Sequence, residues 1–182
     1  MKIWSLQEDV NIYEHVTLVD NERWIEFSDM FEGKKLLKDW KQLCLKLIPH
    51  SGNLKTGDMP YLSPGVPIFS NKAIMLLNKY LEGNIEILSI DFDNEQYKLI
   101  NVVNLVDGIN YQKSQIEYFS DGKRIMAFDK YAFIAKKVEK QHIFKIVEQP
   151  RADVFVSDEF RNTVIESGLN GFKFVEVWDS EE

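Results

Sequence analysis

The chain has 182 residues, 45% of them hydrophobic and 13% aromatic, with 22 Lys and Arg against 29 Asp and Glu for a formal charge of −7. That length suffices for a domain burying about 70% of the surface its unfolded chain exposes, the apolar content excludes a disordered chain, and the acidity argues against a broad nucleic-acid surface. One cysteine, Cys44, excludes an intramolecular disulfide and a thiolate-rich metal site, and no segment approaches the ~20 apolar residues that span a bilayer.

The N-terminus reaches Glu8 and Asp9 before it builds the apolar core of a signal peptide. The reading is a reduced, cytoplasmic protein, a single domain over 1–182 with a disordered acidic tail at 179–182. Ile3, Trp4 and Leu6 open a strand, and the β-branched run Val16-Thr17-Leu18-Val19 precedes a turn at Asp20-Asn21. Between Trp40 and Ile48 the leucines 43, 45 and 47 alternate with Gln42, Cys44 and Lys46, the period of a half-buried strand that leaves Cys44 opposite the leucines.

Residues 49–67 hold four prolines and three glycines. A long irregular stretch in a compact domain is often functional, although rigid surface connection is the plain alternative. Within it Pro64-Gly65 suits the centre of a type II turn.

Pro67-Ile68-Phe69-Ser70 runs into a helix over about 70–82, with Ser70 as cap and Ala73, Ile74, Leu77, Tyr80 and Leu81 as its apolar stripe. The same phrase recurs as Val154-Phe155-Val156-Ser157 before a helix over about 158–167, which Ser167-Gly168-Leu169 stops in a left-handed turn. Between them lie strand signals at Ile85–Ile90, Tyr97–Val106, Ile116–Phe119, Ile125–Phe128, Tyr131–Val138 and Ile143–Val147, with a hairpin turn at Ser120-Asp121-Gly122-Lys123. Phe172 to Trp178 forms the last strand. The predicted class is α+β, a largely antiparallel sheet with a central meander and two main helices.

Catalytic vocabulary is sparse. His15, His50 and His142 lie far apart, with no His-x-x-x-His pair, so no metal set is singled out. Asp91-Phe92-Asp93-Asn94-Glu95 opens like a calcium loop but has Gln96 where the loop needs glycine, so it reads as an acidic turn. Cys44 reads as a structural thiol, and there is no phosphate-cradling glycine loop or nucleophile elbow. The chain is therefore expected to bind rather than catalyse, with no catalytic residue, no metal and no cofactor. Tyr61, Tyr111, Tyr118 and Trp178, beside turns or the tail, are the candidate aromatic anchors.

Ser63-Pro64-Gly65-Val66-Pro67-Ile68-Phe69-Ser70, Asn101-Val102-Val103-Asn104-Leu105-Val106-Asp107, Asp129-Lys130-Tyr131-Ala132-Phe133, His142-Ile143-Phe144-Lys145-Ile146, Val154-Phe155-Val156-Ser157-Asp158-Glu159-Phe160 and Gly168-Leu169-Asn170-Gly171-Phe172 together resemble a bacterial family first described as a domain of unknown function. That family was later grouped with the immunity proteins of polymorphic toxin systems, as immunity family eleven. The resemblance implies a cytoplasmic protein that binds and blocks the effector domain of a cognate secreted toxin, and it brings no catalytic residues.

A basic toxin domain would suit the acidity, with no nucleic acid and no membrane as partner and the oligomeric state open. The partner-binding candidates are Tyr61, Ser63, Asp91, Phe92, Asp93, Glu95 and Trp178. The alternative is an enzyme or small-ligand protein with a site in the 49–67 loop, drawing on His50, Asp58 and Tyr61. A self-associating module built on strand edges is a third.

Overall fold

The structure, a computed structural model, describes residues 1–50, 52 and 54–181. Its strands and helices in chain order are β1 (Lys2–Glu8), β2 (Val16–Leu18), α1 (Trp24–Met30), β3 (Leu43–Leu47), β4 (Ile68–Ser70), α2 (Asn71–Leu81), β5 (Ile85–Asp91), β6 (Tyr97–Val102), β7 (Leu105–Val106), β8 (Gln115–Tyr118), β9 (Ile125–Lys130), α3 (Ala135–Val138), β10 (Ile143–Ile146), β11 (Val154–Ser157), α4 (Asp158–Glu166) and β12 (Phe172–Asp179). The class is α+β with mostly antiparallel sheets, as the sequence predicts.

The strands form two five-stranded sheets and a ribbon. The first sheet has the order β12-β1-β11-β10-β7, antiparallel except for the β10–β7 pair. The second has the order β2-β3-β5-β6-β4, antiparallel except for β3–β5. Among the described residues strands β8 and β9 pair only with each other.

Strands β10 and β11 are buried along their whole length because both faces of the first sheet are covered. On one face Leu6, Val154 and Val156 meet Ala73, Leu77, Tyr80 and Leu81 of α2 and Phe160 and Val164 of α4. On the other, Ile3, Phe144, Ile146 and Phe155 meet Val106, Ile109, Phe133 and Val138. In the second sheet Leu43, Leu45, Leu88, Ile90 and Leu99 pack under Phe27 and Phe31 and against Leu62 and Val66. Its opposite face is covered only toward β6 and β4, where Phe69, Ile100 and Val102 join the α2 cluster.

Both helix starts follow the expected capping chemistry. Ser70 Oγ accepts from Ala73 N–H at 3.0 Å and Ser157 Oγ from Phe160 N–H at 3.3 Å, contacts worth about 1 kcal/mol each. Gly168 ends α4 at φ +65, with Leu169 N–H donating to the Val164 carbonyl. The Pro64-Gly65 turn also forms, with Gly65 at φ +70 and Val66 N–H on the Ser63 carbonyl. A Cβ on Gly65 would lie 2.0 Å from the Ala152 carbonyl oxygen, so only glycine fits there.

Elsewhere the structure departs from the sequence reading. Tyr97–Val106 is two strands in different sheets, broken where Val103 and Asn104 N–H both donate to the Asn84 carbonyl. Tyr131–Val138 is not a strand: it gives one bridge at Phe133 and then α3. Helix α1 was not predicted; it is short and held by tertiary contacts. At the C-terminus, where a tail was expected over 179–182, Asp179 closes β12 and Ser180 N–H donates to the Met1 carbonyl, while Glu182 lies outside the described residues.

Two polar groups tie distant segments together. Asp58 accepts from Ser70 Oγ at 2.7 Å and from Asn170 N–H at 3.0 Å, joining the proline-rich segment to the α2 cap and to the loop after α4. Lys145 is buried in β10 with its ammonium on the Phe31 carbonyl at 3.0 Å, which fixes the end of α1 to the first sheet. Burial pushes that ammonium down to about 8.

Asp158 anchors the N-terminal strand, accepting from Lys2 N–H at 2.8 Å and Trp4 Nε1–H at 2.9 Å. Asp158→Ala is expected to lower unfolding free energy by about 2 kcal/mol, as measured by urea titration. Unchanged stability would mean that the strand ladder alone holds β1.

Candidate functional site

The uncovered part of the second sheet is built by strand alternation. Residues facing the core from β3 and β5 are Leu43, Leu45, Leu88 and Ile90, so Cys44, Lys46, Ile87, Ser89 and Asp91 face solvent. Thr17 of β2 and Lys98 of β6 extend the same face through their pairing with Lys46 and Ser89. Ile87 is 42% exposed there. Cys44 Sγ lies 3.6 Å from Asp91 Oδ2.

The acidic turn stands at one end of this face. Asp93, Asn94 and Glu95 have φ of 46, 52 and 63, three consecutive left-handed residues without a glycine. Each such residue costs roughly 1–2 kcal/mol in an L-peptide. The turn persists because its surroundings fix it: Glu95 and Gln96 N–H bond back to Phe92 and Asp93, and Asn71 at the start of α2 donates to the Glu95 carbonyl through its side chain and to the Gln96 carbonyl through its N–H. Backbone strain held in this way is characteristic of functional loops.

Beneath the turn is an open groove of about 380 Å³ lined by Glu14, Leu45, Lys46, Leu47, Thr56, Phe92, Asp93 and Tyr97. It adjoins a second of about 350 Å³ at Ile48, Pro49, His50 and Leu54, with Glu14 and Leu47 common to both. Tyr97 donates to the Gly57 carbonyl, and burial first, then the charge of Asp93, pushes its hydroxyl up to about 12. The groove therefore combines an apolar floor with a negative wall.

The seven residues singled out in the sequence fall in four places. Asp91, Phe92, Asp93 and Glu95 come together at the turn. Tyr61 is half-buried, its N–H on the Glu14 carbonyl and its ring 5.5 Å from His15, so it backs the groove wall. Ser63 instead borders a separate hollow with Ser28, Asp29, Phe31 and Arg151, where Arg151 bridges Asp29 and Glu32. Trp178 is half-buried on the first sheet, 5.8 Å from the Phe133 ring. Thr17, Cys44, Lys46 and Ile87 were not among the candidate binding residues, although the alternation within Leu43–Leu47 already set Cys44 and Lys46 opposite the leucines and that within Ile85–Asp91 marks Ile87 as outward-facing.

The three residues named for the alternative site in the 49–67 segment, His50, Asp58 and Tyr61, are each engaged with different partners. Asp58 is engaged by Ser70 and Asn170, His50 accepts from Gly52 N–H at 3.0 Å, and His15 stands between His50 and Tyr61. Among the described residues no group of three or more His, Cys, Asp or Glu is placed to hold a metal ion, and no helix is long and apolar enough to cross a membrane.

A family model described as "Immunity protein family (Imm11)" matches residues 84–179, slightly more than half of the chain. Comparison with curated proteins gave no match.

Two expectations follow from the geometry. Asn94→Val should destabilise the protein by about 2 kcal/mol, whereas Asn94→Gly should stay within about 0.5 kcal/mol of the parent; equal effects in thermal melts would contradict the left-handed assignment. Glu8, half-buried at the end of β1, is pushed up to about 7 by burial. The folded state thus holds this proton more tightly than the unfolded chain, so the stability it contributes is full below about pH 4.5 and is lost as pH rises through about 7. Unfolding titrations between pH 5 and 8 should show a decline of about 2 kcal/mol that Glu8→Gln removes.

Proposed function

The chain belongs to the Imm11 immunity protein family, and from that membership we propose that it neutralises a cognate bacterial toxin by binding the toxin's effector domain in the cytoplasm. Family membership carries the class of function. The uncovered face of the second sheet and the acidic turn at its end carry the choice of surface.

The physical fit is to a basic partner. Asp91, Asp93 and Glu95 project from a backbone that is already fixed, so ordering them on binding costs little. Lys98 lies 3.8 Å from Glu95 and is the one cation near the turn carboxylates by ion-pair distance among the described residues. A Lys- or Arg-bearing segment of the toxin laid across Phe92 and Leu47 would pair with these carboxylates while its apolar stems fill the groove. An interface of about 1,600 Å² centred on the turn reaches both the groove, on the Leu45 side of the sheet, and the edge of the open face that carries Asp91. Neutralisation is occlusion: the toxin's substrate-binding residues are occupied by carboxylates and screened from substrate.

The experiment pairs the purified protein with the toxin domain encoded beside it. Parent protein should co-purify with that domain and protect cells expressing it. The triple variant Asp91→Lys, Asp93→Lys, Glu95→Lys, with unchanged circular dichroism, should bind roughly tenfold or more weakly. Full protection by a folded triple variant would move the interface elsewhere, and failure of the parent to bind the toxin would overturn neutralisation itself.

A further inference from the structure

Between α1 and the segment that leads into β3 lies an open hollow of about 420 Å³, larger than either groove beside the acidic turn and within the size range of small-molecule sites. Its apolar lining is Met30, Leu36, Trp40 and Leu43. Leu43 is buried, whereas Met30, Leu36 and Trp40 are only half-buried, so the core of the second sheet is open to water there.

The walls of the hollow are fixed in advance. Residues 34–40 contain only a 3-10 turn at Leu37–Asp39, yet Glu86 Oε2 accepts from the Leu36 and Leu37 N–H groups at 2.6 and 3.1 Å, and buried Asn101 donates through Nδ2 to the Lys34 carbonyl at 2.8 Å. Trp40 Nε1–H donates to the Ser89 carbonyl at 2.8 Å, and the ring stands edge-on to Phe31 at 6.3 Å. On the other side Phe27 and Phe31 seat α1 on the sheet. A ligand therefore enters a preformed site, and little of its binding energy goes into ordering that site.

Charge selects the ligand. Arg23, Lys35 and Lys41 line the hollow with Glu26 and Asp39, three cations against two carboxylates, a net +1 in a chain of −7. Glu26 takes Arg23 Nε at 3.4 Å, an exposed contact of the weak surface kind. It leaves both terminal guanidinium nitrogens of Arg23 without a hydrogen bond among the described residues. No ion pair engages Lys35, Lys41 or Asp39 among those residues either. The free end of the Arg23 fork suits a carboxylate, which it can hold by two parallel N–H bonds. One negative charge balances the lining, whereas a polyanion meets the repulsion of the whole acidic chain. Trp40, its N–H already committed, offers only its ring, the surface on which an aromatic body packs.

We propose that this hollow binds a small aromatic monocarboxylate, its ring packed on Trp40 and Leu43 and its carboxylate held by the Arg23 guanidinium, with Lys35 and Lys41 at the rim. The site lies on the α1 side of the second sheet, apart from the acidic turn, so it stands or falls independently of toxin binding.

Titration calorimetry of the full chain with naphthoate, and with neutral naphthylmethanol as the matched control, tests this without any toxin. The parent should bind naphthoate with a Kd on the order of 100 µM and the alcohol at least roughly tenfold more weakly. Naphthoate should also shift the Trp40 indole N–H resonance in NMR spectra. Arg23→Gln should weaken naphthoate roughly tenfold and leave the alcohol unchanged, and Lys41→Glu, on an exposed side chain, should weaken naphthoate as well. An unmoved Trp40 resonance at millimolar naphthoate, equal affinity for acid and alcohol, or a naphthoate affinity unchanged in both variants overturns the proposal.

Discussion

Everything in the first sheet depends on the insertion of β1 between β11 and β12. Among the described residues strand β12 has no other sheet partner, and β1 bonds antiparallel to both neighbours, pairing Leu6 with Val154 on one side and Phe174 on the other. The first and last strands of the chain are therefore one structural unit, closed by Asp158 on the Lys2 N–H and the Trp4 indole. The family match begins at residue 84, so the strand that completes the matched region's sheet comes from outside it. Segment 84–179 by itself would leave β12 without a ladder and an edge of β11 open.

The second constraint is that α2 serves two cores. Its buried stripe of Ala73, Leu77, Tyr80 and Leu81 meets the first sheet, while Phe69 at its entry and Ile100 and Val102 beneath it belong to the second. Asp58 fixes this joint by holding the Ser70 cap and the loop after α4 at once. Because α2 covers only the β6 and β4 side, the outer face of β2, β3 and β5 is left open among the described residues, although its β3–β5 pair is parallel, a pairing normally covered on both faces. The open face and the turn beside it are thus consequences of where one helix sits. Asn71, the first residue of that helix, also pins the turn's carbonyls.

What the sequence made legible was local chemistry. Ser70 and Ser157 announced helix starts, Gly168 a stop, Pro64-Gly65 a turn and Asp121-Gly122 a hairpin, since each acts within a few residues. Helix α1 escaped because Ile25, 80% exposed, interrupts the apolar stripe, and because packing of Phe27 under the second sheet holds the helix. Helix α3 was hidden by the strand-favouring residues Tyr131 to Ile134 before it. The two-residue β7 is defined by a parallel pairing with β10 across 40 residues, and no local pattern encodes that. The burial of Lys145 is announced by no local pattern, because it follows from both faces of its strand being covered. At the candidate surface the acidic turn was readable from composition, whereas its left-handed backbone was not, because Asp93, Asn94 and Glu95 include no glycine to signal it.

The claim that the open face of β2, β3 and β5 and its acidic turn form the toxin-binding surface is tested most directly by hydrogen exchange of the protein alone and bound to its toxin domain. Slowed exchange on binding, concentrated in residues 43–47 and 87–96, is the predicted result. Protection confined to α4, β12 or the β8–β9 ribbon, with 87–96 unchanged, would contradict it.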